Sequence, residues 1–365
     1  MNRVRANACL RVDEENSVDQ REIRTVLCPA SRETPRNVEA TILPFDDGRL
    51  YLAYSAGERA DHIDGGMPEG GIRIMGRWSD DEGESWSGPF LIRECLGVPN
   101  AMEPSFVRLP GGRVLQAYMQ RDTYVTGGDP FGQMCPMLTY SDDECRSWSE
   151  PECITGSETE YFTTNDRLIR LSTGRILLPV VTAPEMASVR TWLSDDEGVT
   201  WRKSEGALQA PDQVRYSYPI AVELANGDVL LLLQNSTGCL HVAQSCDGGD
   251  SWTLVGQDGP APCPATCNAC RLPDSTDLLL IWNNHAHRTN LTAAISRDNG
   301  QTWTNYRLLE SQQSWPVSRS FAFPSMTFLN GHAHLTWYER RPDSETGALF
   351  DLIYRRLPVS WFYAC

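Results

Sequence analysis

Short apolar runs flank a turn at six places along the chain. The runs that follow the turns read RLYLAY, RVLQAY, RILLPVV, DVLLLLQ, DLLLIW and HAHLTWY. A turn that contains Gly, Asn or Asp between two such runs is typical of a β-hairpin. The pattern therefore predicts six hairpins. Their turns lie at residues 46–50, 110–114, 172–176, 225–229, 274–278 and 329–333.

A second repeat, Ser-x-Asp-x-Gly-x-x-Trp, lies between the hairpins and is called the box below. Its tryptophans recur about every 50 to 60 residues, which indicates one supersecondary unit built repeatedly. In such a turn Ser and Asp accept backbone N–H bonds and Gly supplies a positive φ. We therefore expect the box residues to be structural and not catalytic. The copies are Ser79–Trp86, Ser141–Trp148 (with Cys145 in place of Gly), Ser194–Trp201, Ser245–Trp252 and Ser296–Trp303, and a degenerate sixth keeps Trp361.

One hairpin and one box together make a unit of about four strands, the size of a propeller blade. We predict an all-β fold, a single six-bladed β-propeller domain over residues 1–365. Blades occupy about residues 34–365, after an N-terminal segment of residues 1–33. Because an open last blade would leave an exposed strand edge, Glu22–Leu27 is expected to close the ring as the outer strand of the sixth blade.

Composition and charge indicate which classes of partner and which cellular compartment to expect. A formal net charge of −16 repels phosphate backbones, so we expect no nucleic-acid partner. No apolar run reaches the ~18 residues of a membrane span, and no membrane partner is expected. The first residues lack the apolar segment of a secretory signal. The twelve cysteines are therefore predicted to be reduced thiols in a cytoplasmic protein.

Three of these cysteines have a spacing that is also found in iron–sulfur proteins. Cys263, Cys267 and Cys270 form C-x3-C-x2-C, but they fall where the repeat predicts an inner strand. Iron–sulfur ligands need a loop that wraps the cluster, whereas neighbouring strand residues point to opposite faces. Small buried thiols are the better interpretation, and no metal or cofactor is expected.

With its boxes and six hairpins, the chain resembles the sialidase (neuraminidase) superfamily of Asp-box propellers from about Thr34 to Tyr363. The resemblance implies an exo-α-sialidase-like glycosidase whose active site lies on the face opposite the boxes. In that family three arginines bind the substrate carboxylate, which a planar guanidinium fork matches. A Tyr–Glu pair supplies the nucleophile, and an Asp on a loop serves as acid/base.

The resemblance transfers to only some positions of this chain. Arg36 opens the first blade, where the family has its first arginine, and Arg288 and Arg319 could complete the set. The loop after the first hairpin carries Asp61 as acid/base candidate beside His62, with Asp64 as substitute. At the family's blade-six tyrosine the chain has Phe321 and Phe323. Near its blade-four glutamate the chain has Tyr216 and Tyr218, with Glu223 too far along the strand.

Acids at the starts of inner strands could take over the missing chemistry. Glu39, Glu103 and Asp166 are expected to point into the channel, and two of them with a water could form an inverting hydrolase site. They could equally pair with arginines such as Arg167. The candidate catalytic residues are Asp61, Glu103, Tyr218, His62 and Asp166. The candidate substrate-binding residues are Arg36, Glu39, Arg59, Asn165, Arg167, His285, Arg288 and Arg319.

Three functions remain open at this point. The first is hydrolysis of a sialic-acid-like or other carboxylated sugar, a small-molecule substrate, with arginines on the carboxylate and an Asp or Glu as acid/base. The second is β-elimination from a uronate, with Tyr218, His62, His285 or His287 as base. The third is glycan binding without catalysis. The fold alone does not choose among them, and the sequence does not fix the oligomeric state.

Overall fold

The described part of the chain is built almost entirely of β-strands. The computed structural model describes residues 21–58, 71–94, 100–121, 134–156, 161–182, 185–257, 259–312 and 318–364. Within these ranges there are strands and one short 3-10 helix, Val359–Tyr363, and no α-helix. None of the described residues forms a helix long and apolar enough to cross a membrane.

The strands fall into six repeats after an N-terminal strand, β1 (Ile23–Cys28). Repeat 1 has β2 (Arg36–Pro44), β3 (Leu50–Gly57), β4 (Ile72–Ser79) and β5 (Phe90–Arg93). Repeat 2 has β6 (Asn100–Arg108), β7 (Val114–Arg121), β8 (Met134–Ser141) and β9 (Glu152–Cys153). Repeat 3 has β10 (Tyr161–Phe162), β11 (Ile169–Arg170), β12 (Ile176–Thr182), β13 (Ser188–Ser194), β14 (Arg202–Lys203) and β15 (Leu208–Gln209).

The second half of the chain continues the same pattern. Repeat 4 has β16 (Tyr216–Glu223), β17 (Val229–Asn235), β18 (His241–Ser245) and β19 (Thr253–Gly256). Repeat 5 has β20 (Asn268–Arg271), β21 (Leu278–Asn283), β22 (Asn290–Ser296) and β23 (Thr304–Ser311). Repeat 6 has β24 (Ser320–Leu329), β25 (His332–Asp343) and β26 (Gly347–Pro358).

Within each repeat the strands pair antiparallel, and in repeats 1, 2, 4, 5 and 6 they pair in chain order. In repeat 3, β10 and β11 both pair with β12, and β14 and β15 both pair with β13. Repeats 1 and 6 form one eight-stranded sheet, because β26 also pairs with β2 in parallel, with Phe350 opposite Arg36. All six predicted hairpins are present, closed by backbone bonds such as Leu109 N to Arg113 O at 2.8 Å.

First strands contact one another in the pairs β2 and β6, β16 and β20, and β20 and β24, and β24 of repeat 6 contacts β2 of repeat 1. Repeat 3 contacts its neighbours through β11 with β6 and through β12 with β16. The bond from Phe350 N to Pro35 O, 2.8 Å, also joins repeats 6 and 1.

The N-terminal strand adds a fourth strand to repeat 6. β1 pairs antiparallel with β26, with Thr25 opposite Tyr354. The strand lies within one residue of the predicted segment, and its partner is the predicted one. The pairing covers an edge of β26 that would otherwise carry unpaired backbone groups.

The box residues form turns, as predicted. In the first box Gly83 N donates to Ser79 Oγ at 2.8 Å, and Ser85 N donates to Asp81 Oδ1 at 2.8 Å. The same bonds recur in the other copies. In the second box, hydrogen bonds from the Ser147 hydroxyl and then its backbone N–H lower the pKa of Asp143 to about 2. These carboxylates are acceptors for turn N–H groups and do not face a channel.

Box tryptophans contact side chains of the neighbouring repeat. Trp252 of repeat 4 donates its Nε1 hydrogen to Thr191 Oγ1 of repeat 3 at 2.9 Å. Trp86 of repeat 1 meets Tyr354 of repeat 6 edge-on, with ring centroids 5.2 Å apart. The first repeat thus uses the sixth as its preceding neighbour. The prediction that the tryptophan packs between blades is confirmed at these positions.

The cysteines differ in part from the expectation. Cys135 of β8 and Cys153 of β9 form a disulfide, so the prediction of twelve reduced thiols is wrong for this pair. A disulfide is typical of oxidising compartments, which weakens the argument for a cytoplasmic location. Cys263 and Cys267 are buried, as expected, but they precede the inner strand β20 and only Cys270 lies within it.

Two glycines with nearly the same positive φ, one in a box and one in a hairpin turn, separate the cost of backbone strain from the cost of a steric clash. Gly249 and Gly227 have φ of 88° and 87°. A Cβ at Gly249 would lie 2.4 Å from Leu177 Cδ2 of repeat 3, whereas one at Gly227 would meet nothing within 4 Å. We predict that Gly227→Ala costs roughly 1 kcal/mol of unfolding free energy from strain alone, and that Gly249→Ala costs clearly more. Urea denaturation of both variants measures the difference, and equal costs would contradict a close seam between repeats 3 and 4.

Candidate functional site

The first strands of five repeats share an unusual backbone position. Their residues with positive φ are Glu39, Glu103, Asp166, Tyr218 and Phe323, with φ between 49° and 60°. Four lie where the pairing with the second strand shifts register, and Asp166 lies in the gap between β10 and β11. A bulge re-aims a side chain out of the strand's alternation. Positive φ at a non-glycine residue stores strain, which clusters at functional sites.

Two of these five side chains form a carboxylate pair. Glu39 and Glu103 are both 4% exposed. Burial raises the pKa of Glu103 well above its usual range, and the negative charge of Glu39 raises it further. Arg36, Thr164 and Arg167 oppose this shift. Glu103 therefore holds its proton at a pH where an exposed glutamate has lost it.

The partner carboxylate has a different environment. Arg36 donates from a terminal nitrogen to Glu39 Oε1 at 2.9 Å, and its guanidinium stacks over Phe350 at 5.4 Å from the ring centroid. The charge of Glu39 is thus compensated by a buried ion pair. The two carboxyl groups thus differ, because burial and Glu39 favour the neutral form of Glu103 whereas Arg36 binds Glu39. Such a difference is used to separate acid and base roles.

Two polar atoms of this cluster have no partner within the described structure. Glu103 Oε2 and Arg36 Nε are buried without a hydrogen bond to any described residue. Buried polar atoms are normally satisfied by protein, water or ligand. Glu103 thus keeps one oxygen, and Arg36 one N–H donor, that no described residue satisfies.

Aromatic rings line the cluster on its other side. Tyr218 meets Phe323 and Phe162 edge-on, with centroids 5.7 and 5.4 Å apart. Burial, followed by the charge of Glu103, raises the pKa of the Tyr218 hydroxyl, and Arg288 opposes the shift. Tyr218 is therefore a protonated hydrogen-bond donor at neutral pH, and neither a nucleophile nor a base without further activation.

Sequence reasoning missed Tyr338, which lies beside the position where the family's tyrosine was sought. Its ring lies 5.7 Å from that of Phe323 and 5.3 Å from that of Phe350. Arg288 donates to the Tyr338 hydroxyl at 3.3 Å. The tyrosine comes from the second strand of repeat 6, opposite Ala322 in the register. The alternation His334, Thr336, Tyr338 along β25 could have indicated its face.

Asp166 and its neighbours lie at the centre but are occupied by structural bonds. Asp166 accepts from Thr41 Oγ1 (3.0 Å), Asn268 Nδ2 (2.7 Å) and Met326 N (3.2 Å), in repeats 1, 5 and 6. Asn165 Nδ2 donates to Ala40 O at 2.7 Å. These contacts favour an architectural role over the expected catalytic role of Asp166 and substrate-binding role of Asn165.

Arg167 is likewise committed to the protein. Its guanidinium is 1% exposed and donates to Cys267 O at 2.7 Å and to Asn165 O at 3.1 Å. Burial lowers its pKa. It places positive charge near Glu103, but its hydrogen bonds go to main-chain carbonyl oxygens. Its predicted contact with a substrate stays a prediction.

The remaining candidates lie away from the cluster or outside the described residues. Arg319 is paired with Glu339 at 3.1 Å and is 58% exposed. His285 is exposed and its Nδ1 lies 2.8 Å from Thr289 Oγ1. Glu223 accepts from Ser172 N in a turn on the box side, as expected for a residue too far along its strand. Arg59, Asp61, His62 and Asp64 lie outside the described residues.

Comparisons with known proteins agree with this architecture. The family profile of the BNR repeat-like domain matches residues 48–335. A protein of unknown function from Dyadobacter fermentans is 18% identical, with a TM-score of 0.73 over 93% of this chain and 98% of its own. The NanB sialidase from Streptococcus pneumoniae is 15% identical, with a TM-score of 0.70 over 91% and 70%.

A third similar structure is the intramolecular trans-sialidase from Ruminococcus gnavus. It is 14% identical, with a TM-score of 0.72 over 92% of this chain and 97% of its own, and its structure holds oseltamivir carboxylate. At these identities the similarity establishes a shared sialidase-like fold. It does not transfer an activity.

The raised pKa of Glu103 predicts how the free energy of unfolding depends on pH. The folded protein keeps a proton that the unfolded chain releases above its ordinary pKa of about 4.3, so wild-type stability falls as pH rises above that value. We expect Glu103→Gln to match the wild type at pH ~4 and to exceed it at pH ~8, by about 1.4 kcal/mol per unit of pKa difference.

Urea denaturation at both pH values tests this, with the exposed Glu150→Gln as a control that should change neither. A Glu103→Gln variant that is less stable at pH ~8 would show that Glu103 is an ionised partner of the arginines.

Proposed function

The chain belongs to the BNR repeat-like domain family, and we propose that it is a glycoside hydrolase acting on a carboxylated, sialic-acid-like sugar. The reaction centre is the cluster of Glu39 and Glu103, at the bulges of two first strands, with Arg36 at the start of β2 and Arg288 between β21 and β22. The observation that carries the proposal is the unequal pair of carboxyl groups, Glu103 protonated and Glu39 ion-paired. Glycosidic cleavage needs such a pair, one acid and one carboxylate.

The roles follow from the environments. Glu103 donates its proton to the leaving-group oxygen as general acid, which its raised pKa permits at neutral pH. Glu39 is the carboxylate that assists the attacking group or stabilises positive charge on the sugar. Arg36 holds Glu39 in place and keeps Nε for the substrate.

Water is the proposed nucleophile. Phe323 carries no hydroxyl, and Tyr218 is kept protonated by burial. A covalent tyrosyl intermediate of the family's kind therefore lacks support at either position. Direct attack by water, assisted by Glu39, would invert the anomeric centre.

The substrate carboxylate is proposed to face Arg288 and Arg36. Arg288 is positioned by its bond to Tyr338 and by the backbone bond from Phe321 N to Arg288 O, 2.8 Å. A guanidinium fork matches a carboxylate in plane. The three-arginine set inferred from the resemblance reduces to these two here, because Arg319 is held by Glu339.

Elimination from a uronate is the second candidate, and the Tyr218 environment argues against it. A base must lose its own proton first, and burial raises the pKa of Tyr218. The exposed His285 remains as a base for that route. Glycan binding without turnover would need neither group.

We further propose that the six repeats close into a six-bladed propeller, with β1 completing the last blade and the reaction centre on its axis. Support comes from the pairing of β1 with β26 and the contact of β24 with β2. The box-free ends of the first strands then surround one channel.

Turnover should depend on Glu103 and report its protonation. We expect a panel of sialosides and uronate glycosides, followed by mass, to yield a saturated sugar, and Glu103→Gln to lower kcat by about 10² or more. The kcat should fall as pH rises through the raised pKa of Glu103. Glu150→Gln should keep full activity. An unsaturated product would instead establish elimination, and unchanged kcat in Glu103→Gln would refute the acid role.

Ring closure by β1 can be tested by truncation. Deleting residues 1–28 removes β1 and exposes the edge of β26, so we expect aggregation and a lower, broader thermal transition. Deleting residues 1–20 leaves β1 and serves as the matched control. Equal melting temperatures and elution volumes for the two truncated chains would contradict closure by this strand.

A further inference from the structure

A groove of about 740 Å³ lies between repeats 4 and 5, on the outer part of the sheets and away from the carboxylate cluster. We call it the seam groove. Strands β18 and β19 form one wall and the box of repeat 5 forms the other. The fifteen lining residues include no Asp, Glu, Lys, Arg or His, in a chain in which 22% of residues are charged. The polar side chains that face it are Gln244, Gln257, Asn299, Gln301 and Thr302.

At two other contacts between neighbouring repeats, a salt bridge joins an arginine of one repeat to a box glutamate of the next. Between repeats 1 and 2, Arg49 pairs with Glu144 at 2.8 Å. Between repeats 6 and 1, Arg356 pairs with Glu84 at 2.7 Å. Each acid belongs to a box of the following repeat. Salt bridges of this kind occupy the space next to the box turn.

Repeat 5 departs from this pattern in its box. Glu82, Glu144 and Glu197 fill the fourth box position in repeats 1 to 3, whereas repeat 4 has Gly248 and repeat 5 has Asn299 there. Gln301 stands where the first box has Glu84. Because an amide carries no charge, Asn299 and Gln301 form no ion pair across the seam in the described structure.

The side of the seam groove that belongs to repeat 4 also differs from the equivalent part of repeat 1. The position of Arg49 in its hairpin turn is taken by Asp228 in repeat 4. Asp228 accepts from Gln244 Nε2 at 2.8 Å and from Asn226 Nδ2 at 2.7 Å. Its charge is therefore held within repeat 4, and the Gln244 amide is fixed in orientation at the groove.

Two aromatic rings complete the groove. Trp303 of the box lies in it, and Tyr306 is 54% exposed at its edge. The Tyr306 ring is held edge-on against the buried Trp282, with centroids 5.6 Å apart. At the same place after the box tryptophan the other repeats carry Pro89, Pro151, Ser204 and Val255. A large exposed ring held in place is a preformed contact surface.

We propose that the seam groove binds an uncharged sugar unit. The flat apolar face of a pyranose ring stacks on an aromatic ring, and its hydroxyls both donate and accept, as amide side chains do. A concave site with apolar walls and a few oriented polar groups is what a small-molecule site requires. Neither cations nor anions gain an ion pair there, so the groove selects neutral saccharides, in contrast to the arginine-bearing channel.

Saturation-transfer difference NMR tests the site with the full chain and a panel of neutral saccharides: lactose, cellobiose, maltose and N-acetylglucosamine. We expect at least one to bind, and Tyr306→Ala to weaken its affinity about tenfold or more. Gln301→Ala, in an exposed turn, should also weaken binding without disturbing the core. The matched control is Val199→Ala, a 70% exposed apolar residue of the repeat 3 box, which should leave affinity unchanged.

The outcome is independent of the proposed hydrolysis. Glu103→Gln should keep neutral-sugar binding, and Tyr306→Ala should keep any turnover in the channel. If no member of the panel binds, or if binding persists equally in Tyr306→Ala and Gln301→Ala, the proposal is overturned. Binding that Glu103→Gln abolishes would place the sugar in the channel and would also overturn it.

Discussion

One partly buried carboxylate joins repeats that are far apart in the chain. Asp166 of repeat 3 accepts hydrogen bonds from Thr41, Asn268 and Met326, in repeats 1, 5 and 6. Burial raises its pKa, and the positive charge of Arg167 and these donors counter the shift. A carboxylate removed from water needs such compensation. The first strands must therefore converge closely enough to supply it, and this convergence brings the bulge residues together.

The positive φ that Asp166 has in the gap between β10 and β11 is also found at the bulges that carry the candidate site. Glu39, Glu103 and Tyr218 have the same positive φ at the same place in their strands. A bulge turns these side chains out of the regular alternation of the strand. The repeats are also joined by side-chain bonds such as that from Trp252 to Thr191. Architecture and chemistry thus use one backbone device.

The sequence predicted the features that depend on local interactions. A box fixes its own turn through bonds within a few residues, such as Ser85 N to Asp81, so its pattern is visible in one segment. Glu39 and Glu103 could be proposed from the sequence because they lie near the starts of inner strands. Tyr338 was not, because its place beside Phe323 depends on the pairing of β24 with β25. The commitment of Arg319 to Glu339 and of Asp166 to three repeats is also long-range, and no local pattern signals it.

Repetition itself separates structure from chemistry in this molecule. Five copies of the box keep its Ser and its Asp, because each of these repeats must make the same turn. The position with positive φ, a bulge in four repeats and the gap between β10 and β11 in repeat 3, holds Glu, Glu, Asp, Tyr and Phe. The conformation is thus shared by five repeats, whereas the side chain differs from one repeat to another. The same logic applies at the rim, where Asn299 keeps the positive φ of Glu82 but not its charge. In a repeat protein, an altered side chain on an unaltered backbone is the physical mark of a site.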